Sequence, residues 1–379
     1  MRIFRRLHSD STISNWLPEP RSGVRVRGGI ELGWIFLNAL AEFDACSDQW
    51  DRLNRERDHH LLLDSQFVGG LVKFFASRHT LVGLSQDPLR PGIALVEPSR
   101  FGCWKTFTPS QSIVGLIQLQ NKTDQLGQIH SLMRGLPGYA LSFSLTQQDP
   151  EIPSRLDVME NGASERVEYM QTVRLTLSGT FEEYWKRRGK NLTHNLSRQR
   201  RRLAEQHNRL ELVSYRDPAD ISACVARYGI IESAGWKAQE GTAIAPENAQ
   251  GLFYCQVLEA FCRRGEGVVY ELVLDGKTIA SDLCLERNGT LIILKTTYDE
   301  SIKGLSPGLL MHQSIFELLY QEGRITVIEF YGRLRDWHTK WTDEIRDMYH
   351  VNIYRHSWVS SARQLIKSSS ARWSTTKAS

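Results

Sequence analysis

Two Asx-Gly dipeptides, Asp275-Gly276 and Asn288-Gly289, separate three apolar runs, and no other feature constrains this chain as much. The runs 268–274, 278–285 and 291–298 are rich in Val, Ile, Leu and Tyr. Asx-Gly tolerates the left-handed backbone of a two-residue hairpin loop, so the reading is an antiparallel meander. Its last strand, Thr290 to Tyr298, enters a loop that carries Gly304, Pro307 and Gly308, and an amphipathic helix follows to Tyr320. The two glycines are expected to turn the backbone sharply, and Pro307 presets one φ angle. The first amides of such a helix have no partner inside it and sit at the positive end of its dipole. The loop is therefore a candidate cradle for a phosphate or pyrophosphate. The plainer alternative is that such glycines only make the turn.

Length and composition set the frame. The 379 residues point to two domains, and 41% hydrophobic with 24% charged residues is the balance of a chain that buries a proper core. A net charge of +4 is too small to argue for nucleic acid by itself. The six cysteines are scattered without a Cys-x-x-Cys, which argues for reduced thiols in a cytoplasmic setting and against a disulfide framework or zinc site. His59-His60 has no further ligand at metal spacing, so no metal is expected. Arg2, Arg5 and Arg6 make a basic start that no signal-peptide core follows. The apolar run Gly29 to Ala41 is too short to span a bilayer, so no transmembrane segment is expected.

In chain order, residues 1–28 are Arg-, Ser- and Pro-rich and read as a loose arm. Helices are expected over 43–57 (Asp44 or Ser47 as cap), 65–76 and 124–134. Strands are expected over 60–63, 81–84, 92–96, 104–106, 113–119 and 137–145. The polar, turn-rich stretch 147–165 reads as a domain boundary, and 167–177 as a strand that opens the second half. Thr180 with Glu183 makes a capping-box pattern. Helices over 191–206, 218–234 and 251–264 follow, with strands at 209–215, 325–330 and near 351–354. The tail from Ser368 reads as disordered.

The helix around 191–206 stands out. Trp185, Leu192, Leu196 and Leu203 form one apolar stripe, ringed by Lys186, Arg187, Arg188, Lys190, Arg198, Arg200, Arg201 and Arg202. No acidic residue interrupts from Tyr184 to Ala204. A solvated face is the default for such a run. The sharper alternative is a surface for an anionic partner: a CoA phosphate, a lipid phosphate or tRNA.

The order helices, meander, strand–loop–helix–strand resembles that of the GNAT acyltransferases. In detail the second half is similar to the CelD-like, BioF2-like acetyltransferases associated with cellulose and exopolysaccharide synthesis, relatives of the Fem peptidyl transferases. The stretches that carry the resemblance are 190–203, Ser233-Ala-Gly-Trp-Lys237, Gly276 to Ala280, Tyr298 to Leu310, and Glu329-Phe-Tyr-Gly332 followed by Trp337-His-Thr-Lys-Trp341. It covers about 165–355 well and the first half loosely. The fold it implies is α/β (α+β). Two tandem GNAT-like domains are expected, each a mixed, largely antiparallel sheet flanked by helices: 29–165 degenerate, 166–362 catalytic, with 363–379 as a disordered tail. One departure stands out: where the family places an aromatic–Lys pair before a Trp, this chain has Trp337-His338, and imidazole is mostly neutral near pH 7.

The resemblance implies acyl transfer to an amine or hydroxyl, with acetyl-CoA or another acyl-CoA as donor and no metal. The acceptor would be a small molecule or saccharide of envelope or exopolysaccharide metabolism, and polysaccharide synthesis machinery a possible partner. The alternatives it leaves open are a Fem-like transferase using aminoacyl-tRNA and a non-catalytic GNAT-fold scaffold. Gly304, Leu305, Ser306, Gly308 and Leu309 would form the pyrophosphate loop, with donation from the amides of Leu305, Ser306, Gly308 and Leu309 and none from Pro307. Candidate bases are His338 and Glu329, and Tyr298 is the candidate acid or thiolate stabiliser. Trp236, Lys237, Lys295, Asp299, Tyr331 and Trp337 would line the acceptor side. The bland readings are a capping or packing His338, an Arg-paired Glu329, a structural Tyr298, and a Trp236-Lys237 that only closes a helix.

Overall fold

A computed structural model describes residues 33–57, 59–120, 124–152, 163–234 and 244–360. The expected loose arm, the disordered tail, and Trp236 and Lys237 lie outside the described residues.

The first half contains β1 (Trp34–Asn38), α1 (Ala39–Arg57), α2 (Ser65–Phe75), β2 (Leu81–Ser85), β3 (Gly92–Arg100), β4 (Cys103–Thr106), β5 (Ile117–Leu119), α3 (Gln125–Gly135), β6 (Ser142–Gln148) and β7 (Ser164–Thr176). The second contains α4 (Phe181–Lys186), α5 (Lys190–Glu205), β8 (Leu210–Tyr215), α6 (Pro218–Ala234), α7 (Ala249–Cys262), β9 (Gly267–Leu274), β10 (Lys277–Arg287) and β11 (Thr290–Tyr298). It ends with α8 (Pro307–Glu322), β12 (Val327–Phe330) and β13 (Glu344–Tyr354). The result is a mixed α/β architecture with one large, mostly antiparallel sheet flanked by helices.

The strand order β1-β2-β3-β4-β6-β13-β7-β12-β11-β10-β9-β8 contains an internal repeat. From each outer edge inward, three antiparallel pairings lead to one parallel pair, β4 with β6 and β11 with β12. β7 and β13 lie side by side between the two parallel pairs. β13, from the second half, pairs with β6, and β7, which follows β6, pairs with β12; β7 and β13 pair with each other at the centre.

Side chains alternate between the two faces, as strand geometry requires. In β3, Ile93 and Leu95 point into the core beneath α1, α2, α6 and α7, while Ala94 and Val96 face α3. In β9, Val269 joins the first of these cores, while Val268 and Tyr270 join the one beneath α4, α5 and α8. The first core runs through both halves. Phe67 of α2 meets Phe253 of α7 edge-on at 5.5 Å. Gly70 makes this approach possible, because a Cβ there would stand 3.1 Å from Phe253 and Val257. A buried Phe contributes roughly 1.5–3 kcal/mol through the area it removes from water.

The expected hairpins form with both central residues left-handed: Asp275 and Gly276 at φ 50° and 81°, Asn288 and Gly289 at 50° and 78°. Thr180 and Glu183 form the capping box of α4. Several expectations need correction. Residues 61–63 are a 3₁₀ turn, not a strand, with His60 Nδ1 accepting from Leu62 N; three buried leucines in a row carry no period to read. α1 starts at Ala39, with Asn38 Oδ1 accepting from Ala41 N, so Asp44 and Ser47 lie inside the helix. β5 and β6 begin four and five residues later than expected, at Ile117 and Ser142. β13 begins at Glu344, far ahead of Val351: its charged residues hid a strand that is central because of partners from elsewhere in the chain.

Candidate functional site

Between β11 and α8, residues 300–305 form a 3₁₀ turn capped by Asp299, whose carboxylate accepts from Ser301 and pairs with Lys277 at 2.7 Å. These bonds from Lys277 and Ser301 hold the Asp299 carboxyl below its usual range. The sharp turn is not made by glycine, because Ser306 alone takes the left-handed conformation, at φ 59°. A polar residue tolerates that region where no Cβ clash is enforced. Four backbone amides were expected to face a ligand. Ser306 N instead donates to Lys303 O, and Leu309 N to Ser306 O. Gly308 N makes no hydrogen bond among the described residues. The exposed ring of Tyr298 lies over Gly308, 3.4 Å from where a Cβ would be.

α5 is laced to this loop. Gln199 Nε2 donates to Gly304 O at 3.0 Å, Asn195 Nδ2 lies 3.4 Å from Ser306 Oγ, and Arg200 reaches Gln313 and Ser314 on α8. The two helices begin side by side, and neither N-cap, Gly189 or Ser306, makes a side-chain capping bond. A cavity of about 470 Å³ opens beside them, lined among others by Arg187, Arg188, Asn191, Asn195, Leu309, Lys340 and Asp343. Arg188 is fixed by donation to Trp341 O at 2.6 Å, which leaves its buried Nε without a partner. Two helix N-termini and three cations against one carboxylate favour an anion in this cavity.

Inward from the loop, β11 and β12 pair over only Thr290–Ile292 and Val327–Glu329 before β12 ends at Phe330. Each face of this opening carries its own cluster. On the α8 face, His338 stacks on Trp337 at 3.7 Å and Trp337 on His312 at 5.2 Å, with Phe330 edge-on to all three. His338 Nδ1 accepts from Arg335 N, which places its proton on Nε2. Burial, then the neighbouring His312, pushes the His338 imidazole down to about 4. His312 Nε2 meets Asp282 Oδ2 at 3.0 Å, both fully enclosed.

On the opposite face, Arg346 Nη2 donates to Glu329 Oε2 at 2.6 Å and to Asp149 Oδ2 at 3.1 Å. Tyr331 OH donates to Asp149 at 2.8 Å and lies 3.0 Å from His60 Nε2. Burial pushes the Glu329 carboxyl up to about 7, although Arg346 pulls it back. A carboxyl poised there can take up a proton at neutral pH.

The expected site residues thus fall in three places. Glu329 and Tyr331 share the buried polar cluster, with Lys295 on the same side, its Nζ 5.8 Å from the Tyr254 ring centre. Trp337 and His338 occupy the other face. Tyr298, Asp299 and the loop lie outward: Tyr298 is six residues beyond Ile292, the strand partner of Glu329, which is roughly 20 Å along a strand. Sequence reasoning missed Asp149, Arg346, His60, Asp282, His312 and Lys340. Of the cations around the cavity, Arg187 and Arg188 were signalled by the basic stretch. Among the described residues no group of three or more His, Cys, Asp or Glu is arranged to hold a metal, and no helix is long and apolar enough to cross a membrane.

Comparison with known proteins places this geometry. Residues 190–339 match the family model described as Acetyltransferase (GNAT) domain. No curated protein matches the chain. Among solved structures, the C-terminal domain (DUF2156) of a putative lysylphosphatidylglycerol synthetase from Agrobacterium fabrum superposes with a TM-score of 0.52 at 12% identity, over 84% of this chain and 95% of that one. FemX superposes with a TM-score of 0.52 at 9% identity, over 84% and 98%. L-PGS from Bacillus licheniformis superposes with a TM-score of 0.50 at 11% identity, over 82% and 92%. Identities this low speak for the fold alone. Residues 190–339 are thus similar to the GNAT acetyltransferase domain family, within a fold similar to that of FemX and the lysylphosphatidylglycerol synthetase domain.

Proposed function

We propose that the chain transfers an acyl group from acyl-CoA to an amine or hydroxyl of an envelope or exopolysaccharide precursor, as its resemblance to the CelD-like group implies. The observation that carries this reading is the cavity where α5 and α8 begin, with Arg187, Arg188 and Lys340 around it. A pyrophosphate is the group that such a pocket suits, and the gap beyond the paired ends of β11 and β12 leads the thioester inward. Glu329 then takes the proton as the acceptor attacks the thioester carbon. The new C–N or C–O bond forms, the C–S bond breaks, and the thiolate leaves to be reprotonated. Trp337 and His338 pack beside the acyl group, and Tyr298 and Gly308 border the nucleotide end. In this reading 29–165 is a degenerate GNAT-like unit that contributes Asp149 and His60 to hold Tyr331 and Arg346.

Calorimetric titration with acetyl-CoA tests the donor. Saturable binding that Arg187→Glu weakens is the expected result, and absence of any heat at millimolar ligand sinks it. One observation favours a second reading, a Fem-like use of aminoacyl-tRNA: Lys190, His194, Arg198 and Arg201 line one exposed face of α5. A tRNA user would bind tRNA with strong salt dependence and ignore free CoA. A scaffold would turn over no thioester at all.

A further inference from the structure

Far from the cavity, three segments of chain meet at one end of the sheet and display aromatic rings to solvent. The first is the β3–β4 hairpin tip, where Phe101 is 93% exposed. The second leads into β6 and carries Tyr139, 59% exposed; the third leaves β13 and carries Trp358, 61% exposed. Hydrogen bonds tie them together. Leu141 N donates to Gly102 O at 2.7 Å and Arg355 N to Leu141 O at 2.9 Å, while Tyr139 OH meets His356 Nε2 at 2.9 Å. The His356 and Trp358 rings are stacked. Gly102, at φ 68°, makes the tight turn that leaves Phe101 outermost. The segments are tied to one another, and three large rings gathered on one rim, unlike rings scattered singly, mark an interaction surface.

The charge of the rim selects the partner. Segments 98–104, 133–142 and 353–360 contain Arg100, Arg134 and Arg355 and no Asp or Glu. Arg355 lies 4.4 Å from the Tyr139 ring centre and donates to Met133 O beside Arg134. The carboxylate of Glu165, on the neighbouring strand, is taken by Tyr354 OH. Burial and then Arg134 and Arg355 hold the nearby His130 imidazole below its usual range, a sign of concentrated positive potential. Two copies of the rim facing each other would oppose these arginines, which disfavours self-pairing. Tyr and Trp prefer the headgroup zone of a bilayer, where ring and polar tip are both satisfied, and arginine is drawn to anionic headgroups.

We infer that this rim docks the protein on an anionic phospholipid surface, with Phe101 and Trp358 entering the acyl boundary and Arg100 and Arg134 meeting phosphates. The inference is independent of the transferase reading. Co-sedimentation of the full chain with vesicles tests it, using phosphatidylcholine alone and an equimolar mixture with phosphatidylglycerol. The chain should pellet with the mixed vesicles, less so at high salt. The double variant Phe101→Ser/Trp358→Ser should lose about tenfold or more of this binding, and Arg100→Glu/Arg134→Glu a similar amount on the mixed vesicles only. All four positions are on the surface or at element ends, and unchanged thermal unfolding verifies the fold. A wild type that stays in the supernatant, variants that pellet equally, or a solution dimer that Phe101→Ser dissociates would each overturn the proposal.

Discussion

Arg346 of β13 reaches over β7 to place its Nη2 2.6 Å from Glu329 Oε2 of β12, inside a cluster whose other carboxylate, Asp149, comes from the end of β6. The innermost strands of the two halves therefore share one buried charge network. Arg346 keeps Glu329 from being an isolated buried carboxyl, yet burial still wins and lifts it to about 7.

If Glu329 accepts the acceptor's proton, kcat/KM falls below about pH 7, where the carboxyl is protonated. Glu329→Gln should lower turnover by about a hundredfold or more and remove that inflection. The stability sign is opposite to the usual carboxylate case. The folded group holds a proton that the unfolded one has lost, so folding stability declines as pH rises from the ordinary range towards 7. A rise from 4.5 to about 7 corresponds to on the order of 3 kcal/mol. Thermal unfolding of Glu329→Gln against wild type should show the variant gaining about 2 kcal/mol of relative stability between pH 5 and 8. A constant difference across that range refutes the shift.

His338 is a separate case. Its imidazole, held near 4, stays neutral at every working pH and is bonded to Arg335 N. Because the unfolded residue takes a proton that the folded one refuses, stability is lost as pH falls from about 6.5. His338→Ala should cost about 2–4 kcal/mol through the lost stack on Trp337 while the acid limb of the rate profile stays where it was. Movement of that limb in the variant would assign the titration to His338 instead of Glu329.

Donor binding is tested at the start of α8. Gly308→Val should weaken acetyl-CoA binding by about tenfold or more, since a branched side chain beside the Gly308 N–H would stand where the pyrophosphate must come close. The stability cost should stay within about 1 kcal/mol, because Gly308 has ordinary helical space and Val is a modest helix former. Equal affinity in a folded variant excludes the loop as the donor site.

Asp64 joins the halves. It caps α2 by accepting from Gln66 N and pairs with Arg287 at 2.6 Å and Arg264 at 3.1 Å. Burial pushes its carboxyl up, but Arg287 and Arg264 prevail and hold it below the usual range. Its stabilisation is present above about pH 4 and is lost as pH falls through the lowered value. Asp64→Ala should cost about 2–3 kcal/mol, because α2 loses its cap and buried Arg287 keeps only Glu266 as a carboxylate partner. Asp64→Asn should recover about 1 kcal/mol of that by keeping the cap. Chemical unfolding at pH 7 and at pH 3 measures both, and the wild-type advantage should shrink at the lower pH.

Local elements were legible because their causes are local. The Asx-Gly hairpins, the Thr180–Glu183 box and the α6 boundaries rest on residues within a few positions of each other. Errors gathered where tertiary partners overrode local pattern. β13 hides behind Glu344, Arg346 and Asp347, and 61–63 fold as a turn because three leucines fit one core. At the candidate site, Glu329 and the Gly308 loop were proposed from the resemblance. Ser306 as the left-handed residue was not, because side-chain type permits that backbone in many places and only the packed loop selects one.

By itself the amino-acid sequence determined a meander feeding a loop and a helix, a basic α5, and a transferase-like order of elements. Hydrogen-bonding range explains this, since caps, turns and alternating strands act over a dozen residues or fewer. Tertiary structure alone decided that β7 and β13 pair at the centre of the sheet, that Tyr331 meets Asp149 across 182 residues, and that His312 finds Asp282. Such pairs are chosen by which faces of the sheet close over one core, and no spacing along the chain records that choice.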